Sequence, residues 1–236
     1  MDRTVKFDGV RFDSLGLLLT KNPVPPCSTQ DYETIQIPDG PVLFSQKFTR
    51  QPVQLGIYCT IIEPGKLREI YALVQRKGKL ILPDEPDKYY NAILTIDTPQ
   101  NIILQYHTIV FTAMCEPYAY SIENPLEEYP LSAASWYKFT SVVNNGTAEC
   151  EPVYIIEATS EFDFWGGNDK HCRIHISKPE IITIDMPRRI VYNASGENML
   201  NLVEGDFFDM ILKPGENTVR GTAITGLKIQ KNERWY

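Results

Sequence analysis

Residues 13–62 read DSLGLLLTKNPVPPCSTQDYETIQIPDGPVLFSQKFTRQPVQLGIYCTII. The middle of this stretch is a hairpin. Thr34-Ile35-Gln36-Ile37 alternates polar and apolar residues, Pro38-Asp39-Gly40-Pro41 turns the chain, and Val42-Leu43-Phe44 begins the return. Neither Pro38 nor Pro41 can donate to a strand ladder, so they mark where the turn is entered and left. Upstream, Pro23-Val24-Pro25-Pro26 is a stiff, extended spacer. Downstream, Val53, Leu55, Ile57, Cys59 and Ile61 place an apolar residue at every second position, the pattern of a half-buried strand. A hairpin on a proline stem is expected to be an arm of about residues 26–50. Two strands alone are marginally stable in water, so the arm needs a surface to lie on, in its own domain or in another copy.

Outward from the arm, short strands dominate the expectation. Val5-Lys6-Phe7 and Val10-Arg11-Phe12 form a small hairpin turned by Asp8-Gly9. Strands are expected over Val53–Ile62, Leu80–Leu82, Tyr89–Asp97 and Ile102–Cys115, the last being the most apolar run. One amphipathic helix is expected after Pro64-Gly65, with Leu67, Ile70, Tyr71 and Val74 at helical spacing and Gly78 as its stop. Residues 121–135, SIENPLEEYPLSAAS, read as a linker rich in proline, glutamate and small residues. Beyond it, short strands are expected around 136–143, 153–158, 173–177, 181–185, 189–192, 207–212 and 226–231. Turns lie at Asn144-Asn145-Gly146, Ser195–Asn198 and Lys213–Asn217. That rhythm describes a β-sandwich. The fold class is therefore mainly β, in two domains, 1–131 and 132–236.

Composition bounds the function. The chain has 236 residues, 43% hydrophobic and 22% charged, with 17 prolines, 13 tyrosines and a net charge of −7. Residues 1–130 hold 12 basic and 16 acidic side chains, and residues 131–236 hold 11 and 14. With no basic lobe, nucleic acid is not expected as a partner. No apolar run reaches the roughly 20 residues of a membrane span, and MDRTVKFDGV lacks a signal-peptide core, so cytoplasmic synthesis without membrane attachment is expected. The five cysteines are odd in number, widely spaced and without a CxxC pair, consistent with free thiols. The glycosylation-like Asn145-Gly146-Thr147 and Asn193-Ala194-Ser195 are read as turns.

Little in the sequence points to catalysis, and no enzyme, metal or cofactor is expected. His171 and His175 would stand about 13 Å apart on a strand, too far to share an ion easily. His107 is read as a packed strand residue. The acidic pairs Glu127/Glu128, Asp163/Asp169 and Asp206/Asp209 fall on expected surface turns, whereas a glycosidase needs two carboxylates across a cleft. No GxSxG, P-loop or dinucleotide fingerprint occurs. The stretch Phe162-Asp163-Phe164-Trp165-Gly166-Gly167-Asn168-Asp169 reads as a loop in which Trp165, Asn168 and Asp169 could stack on a sugar ring and bond its hydroxyls. The alternative is an aromatic wedge within the sandwich or at a protein interface.

The ordered motifs resemble those of a family, the distal tail proteins of long-tailed (siphovirus) bacteriophages and prophages of Gram-positive bacteria. The resemblance rests on Asp13-Ser14-Leu15-Gly16-Leu17, the proline-rich arm with Asp39-Gly40-Pro41, Leu82-Pro83-Asp84-Glu85-Pro86-Asp87-Lys88-Tyr89-Tyr90-Asn91-Ala92, and Phe111 through Glu116-Pro117-Tyr118. It continues in Asn144-Asn145-Gly146-Thr147-Ala148-Glu149 with Pro152, Ile182-Thr183-Ile184-Asp185, Leu212–Asn217 and Glu233-Arg234-Trp235-Tyr236. It implies an N-terminal β-sandwich or barrel-like domain with one helix and a projecting hairpin, and a galectin-like or carbohydrate-module-like C-terminal β-sandwich. The implied role is structural: a homohexameric hub in the virion that joins the major tail tube protein to tail-tip, tail-associated lysin or receptor-binding baseplate proteins. Ile35, Ile37, Asp39, Gly40, Val42 and Phe44 would then serve ring closure. The rival expectation is a monomeric carbohydrate-binding module that recognises host cell-wall polysaccharide.

Overall fold

The structure is a computed structural model. It describes residues 4–36, 38, 40, 42–134, 136–205 and 207–236, with the backbone only for residues 31, 32 and 42–49. The chain is mainly β and divides into two compact units, Met1–Ile122 with Tyr236, and Glu123–Trp235.

The first unit begins with β1 (Lys6–Phe7) and β2 (Val10–Arg11). Asp8 and Gly9 between them both take positive φ, 51° and 81°, the backbone of a two-residue hairpin turn. After β3 (Leu17–Leu19) come the arm strands β4 (Gln30–Gln36) and β5 (Val42–Arg50), then β6 (Val53–Ile61), α1 (Leu67–Tyr71), β7 (Lys77–Ile81), β8 (Lys88–Ile96), α2 (Gln100–Tyr106) and β9 (Thr108–Ser121). Apart from the arm, these strands form one antiparallel sheet in the order β2-β1-β7-β8-β9-β6-β3. Its inner face follows the alternation read from residues 53–61: Leu55, Ile57, Cys59 and Ile61 are buried, as are Ile109, Phe111, Ala113 and Cys115 on the paired strand. Phe12 packs on Phe111 with ring centroids 5.1 Å apart.

Three expectations in this unit are corrected. The helix near Pro64 is short: a 3-10 turn, Pro64–Lys66, runs into α1 and ends by Tyr71. Gln75 turns left-handed at φ 63° and its N–H donates to the Leu94 carbonyl, which ends helical pairing before Gly78. Gly78 sits instead in β7, where a Cβ would lie 2.7 Å from Cζ of Phe7. The run read as one strand over Ile102–Cys115 is split. Pro99 caps α2, His107 closes it with a left-handed φ of 51°, and β9 starts at Thr108. His107 is thus an exposed helix cap and not a packed strand residue.

The second unit contains β10 (Leu126–Glu128), β11 (Ser132–Ala133), β12 (Lys138–Asn144), β13 (Val153–Ala158), β14 (Phe162–Trp165), β15 (His171–Ile174), β16 (Glu180–Asp185), β17 (Ile190–Asn193), β18 (Val203–Gly205), β19 (Gly215–Gly221) and β20 (Ile224–Gln230). A five-stranded sheet, β10-β20-β13-β16-β17, and a six-stranded sheet, β11-β12-β19-β14-β15-β18, enclose one apolar core. Tyr154 and Phe164 meet edge-on at 5.1 Å in that core, and the Tyr154 hydroxyl donates to the Met210 carbonyl at 3.0 Å. The second unit starts at Glu123, and its residues 126–128 pair with β20. Residues 162–165 form a strand and not a loop, with Phe162 and Phe164 in the core. Residues 207–209 form a 3-10 turn and not a strand. The strand expected over 173–177 runs from His171 to Ile174.

Candidate assembly site

The arm is a two-stranded sheet of its own. Thr34 pairs with Phe44, Ile35 with Leu43 and Gln36 with Val42. Ile35 therefore holds an alternate register position to Val42 and Phe44, so the three do not form one stripe. Ile35 is 51% exposed, and Gly40 is exposed at the bend. Ile37 and Asp39 lie outside the described residues.

The root of the arm is built more firmly. The Arg50 guanidinium donates to the Ser28 carbonyl at 3.1 Å and to its hydroxyl at 3.4 Å, and Ser28 is buried. The same guanidinium lies over the Tyr236 ring, 3.6 Å from its centroid, and Tyr236 packs on Tyr118 at 5.6 Å. Gln51 N–H donates to the Thr29 carbonyl, closing the hairpin at its base. The two-residue corner Gln51-Pro52 then leads into β6.

The outer face of the main sheet is the second component. Residues of β6, β8 and β9 that alternate with the buried set point away from the core. Tyr58 pairs with Val110, Gly56 with Thr112 and Gln54 with Met114, while Ile93 and Thr95 flank Met114 and Thr112 from β8. Tyr58, Ile93 and Met114 are all exposed. The β8–β9 register shifts between Tyr90/Ala119 and Ala92/Cys115, with the extra residues on β9, and a shallow cavity of ≈ 160 Å³ lies beside Ile93 and Met114. Lys77 and Glu116 border it and pair at 2.6 Å.

On the second unit, the residues read as sugar contacts separate. Trp165 stacks on His171 at 4.7 Å and meets the edge of Trp136 at 5.9 Å. Asn168 spends its Nδ2 on the Asp209 carbonyl, and Asp169 is ion-paired with Arg220 at 3.1 Å. Arg220 in turn sits 5.1 Å from the Trp165 ring centroid. Asn168 and Asp169 thus stabilise the loop, and the exposed aromatic is Trp136 at 63%. Trp136 and Arg220 were not singled out from sequence: the pairing of β14 with β19 sets Arg220 opposite Trp165, and Trp136 precedes β12, which pairs with the other edge of β19.

The histidines and carboxylates on β14, β15 and β18 form one ion-pair network, joined by Arg173, which also lies 3.7 Å from Glu161. Asp163 accepts from Arg173 at 2.9 and 3.0 Å and bonds His171 Nε2 at 2.9 Å. These partners, Arg173 above all, hold its carboxyl below the usual range. His175 lies between Glu161 at 3.0 Å and Glu204 at 3.3 Å, and Glu161 chiefly raises its pKa. No group of three His, Cys, Asp or Glu among the described residues is placed to hold a metal ion.

A sheet with one open face, a self-paired arm and a separate sandwich make up an architecture that can be compared as a whole. The chain is similar in fold to SPP1 Dit. The crystal structure of SPP1 Dit (gp 19.1) matches with a TM-score of 0.72, covering 99% of both chains at 15% sequence identity. SPP1 Dit is described as a paradigm of the hub adsorption apparatus in phages that infect Gram-positive bacteria. At this identity, what is shared with SPP1 Dit is the path of the chain. No protein-family model and no curated protein matches the sequence.

Proposed function

We propose that this protein is a structural, non-enzymatic distal tail component of a phage or prophage: a homohexameric hub joining the tail tube to the tail-tip or baseplate proteins used in host adsorption. The observation that carries this reading is the arm, which is anchored at its root by Arg50 and Ser28 and whose strands β4 and β5 form a two-stranded sheet of their own among the described residues. Such a ribbon is marginal alone and gains stability by lying on another surface. The fold likeness to SPP1 Dit over nearly the whole chain supports the same reading. In this reading Met1–Ile122 is the ring-forming part, with Ile35, Ile37, Asp39, Gly40, Val42 and Phe44 on the closing arm. Glu123–Trp235 is an outer, galectin-like sandwich, and the protein's place is the distal end of the virion tail.

The test is the mass in solution. Six copies of a 27.0 kDa chain amount to about 162 kDa. Light scattering across a concentration series should find that species, and deletion of residues 30–48 should leave a folded monomer. An intact hexamer after the deletion would remove the arm from the ring.

One observation favours a second activity in the outer unit. Trp136 stands 63% exposed beside Trp165 and offers a face on which a sugar ring could stack. A cell-wall polysaccharide pull-down that is lost with Trp136→Ala and retained with Asp169→Asn would support carbohydrate binding. Equal retention by both variants would count against it.

A further inference from the structure

On the outer face of the six-stranded sheet, strand pairing lines up four side chains in one row. Phe139 on β12 stands opposite Arg220 on β19, Arg220 opposite Trp165 on β14, and Trp165 opposite His171 on β15. We propose that this row, with Trp136 beside it, binds an uncharged glycan chain, and that Asp169 keeps anionic polymers off it by neutralising Arg220. This inference rests on the carbohydrate reading of the outer unit and names the class of glycan.

Three features carry it. First, the row is continuous and open. Directly opposed residues of an antiparallel pair share a face, so the four side chains leave the sheet on one side. Their neighbours along the strands, Thr140, Val219, Phe164 and Cys172, are buried, which puts the row on the outside. All four members are half-buried. Adjacent strands lie about 4.8 Å apart, so the row crosses about 14 Å of sheet and offers length to linked rings.

Second, the aromatic surface is narrow and angular. Trp136 meets Trp165 edge-on at 5.9 Å and Tyr137 edge-on at 4.8 Å, so the rings form a corner and not a flat patch. The next paired positions on β12 and β19 are Ser141 and Thr218, both exposed and polar. The core of a protein interface needs apolar surface around its aromatic anchors. A sugar ring needs one aromatic face for its C–H groups and polar groups at its edge, which is what the row supplies.

Third, the cations of the row are already matched. Arg220 pairs with Asp169 at 3.1 Å, and Arg173 pairs with Asp163 at 2.9 Å. His171 Nε2 bonds the same Asp163 carboxylate at 2.9 Å. A phosphate or carboxylate polymer would have to displace Asp169 from Arg220 against the repulsion of like charges. The Asp169 side chain is 80% exposed, so an incoming ligand meets that charge first. Uncharged hydroxyls accept from guanidinium N–H groups without breaking either ion pair.

The experiment uses the full chain and Gram-positive cell-wall polysaccharide separated by anion exchange into an uncharged and an anionic fraction. Wild type should bind the uncharged fraction, with an affinity constant to within about two-fold between roughly 0.05 and 0.5 M salt. Trp136→Ala should weaken that binding roughly ten-fold with an unchanged thermal midpoint. Asp169→Asn should leave it within about two-fold, while raising binding of the anionic fraction at low salt by about three-fold or more. If wild type prefers the anionic fraction, this inference fails while the carbohydrate reading stands. If Asp169→Asn gains nothing on the anionic fraction, the role given to Asp169 fails. If wild type binds neither fraction, the carbohydrate reading fails, this inference goes with it, and the row is left to a protein partner. Should Asp169→Asn not fold, the preference of wild type between the two fractions decides.

Discussion

The Arg50 guanidinium lies 3.6 Å from the centroid of the Tyr236 ring. It bonds Ser28 at the same time, so one side chain ties both strands at the base of the arm and an aromatic residue far along the chain to a single point. Tyr236 is 44% exposed, and a cation–π contact there is worth about 1 kcal/mol. Tyr236→Leu is expected to leave the fold intact and to make limited proteolysis within residues 30–50 roughly five-fold faster. Arg50→Ala, which also strips the bonds to Ser28, should exceed it. Equal cleavage rates for both variants and wild type would show that the root is held by other contacts.

The ion pairs on β14, β15 and β18 give the second unit a pH dependence with a defined sign. His175, raised by Glu161 and Glu204, contributes stability that is fully present below its ordinary value of 6.5 and is lost as pH rises through the raised folded value. Asp163, lowered by Arg173 and His171, contributes stability present above 3.8 that is lost as pH falls through the lowered folded value. Urea midpoints measured between pH 3 and pH 9 should therefore flatten on the alkaline limb in His175→Gln and on the acid limb in Asp163→Asn. Unchanged limbs in both variants would contradict the assignment.

Thiol chemistry should report burial directly. Desolvation pushes Cys59, Cys115, Cys150 and Cys172 up to about 12, whereas Cys27 is exposed. At pH 8 a thiol reagent should titrate one group per folded chain and five in denaturant, and Cys27→Ser should abolish the fast phase. Two or more fast groups in the folded protein would show that one of the buried thiols is accessible.

Asn217 clamps the turn that starts β19. It is 4% exposed, its Nδ2 donates to the carbonyls of Lys213 and Gly215, and its Oδ1 accepts from the Lys213 N–H at 2.9 Å. Asn217→Ala leaves these backbone groups without that partner and should cost about 2 kcal/mol in urea unfolding. A loss below about 0.5 kcal/mol would mean that the turn re-forms its bonds elsewhere.

Much of the β architecture was legible because a strand writes its two faces into alternate residues. Residues 53–61 bury every second side chain, and Asp8-Gly9 supplies the two positive-φ positions that its hairpin needs. The failures have physical causes. Ile102-Ile103-Leu104 is a continuous apolar run, so periodicity could not separate a short helix from a strand, and Pro99 with the left-handed His107 decided it. Phe162–Trp165 read as a loop because Gly166-Gly167 follow directly. The glycines are there for closeness: a Cβ on Gly166 would meet Met210 at 2.6 Å. Trp165 was legible as an unusual aromatic, but its neighbours were not, since Trp136 and Arg220 arrive through strand pairing.

Local pattern and turn chemistry alone settled that this chain forms short antiparallel strands and carries a proline-flanked hairpin near its start. Those features depend on residues a few positions apart. Tertiary structure alone decided which sheet face stays open, which arm positions share a side, and that Arg50 meets Tyr236. Each depends on pairing between segments distant in sequence, and alternation states that a strand has two faces without stating what covers either one.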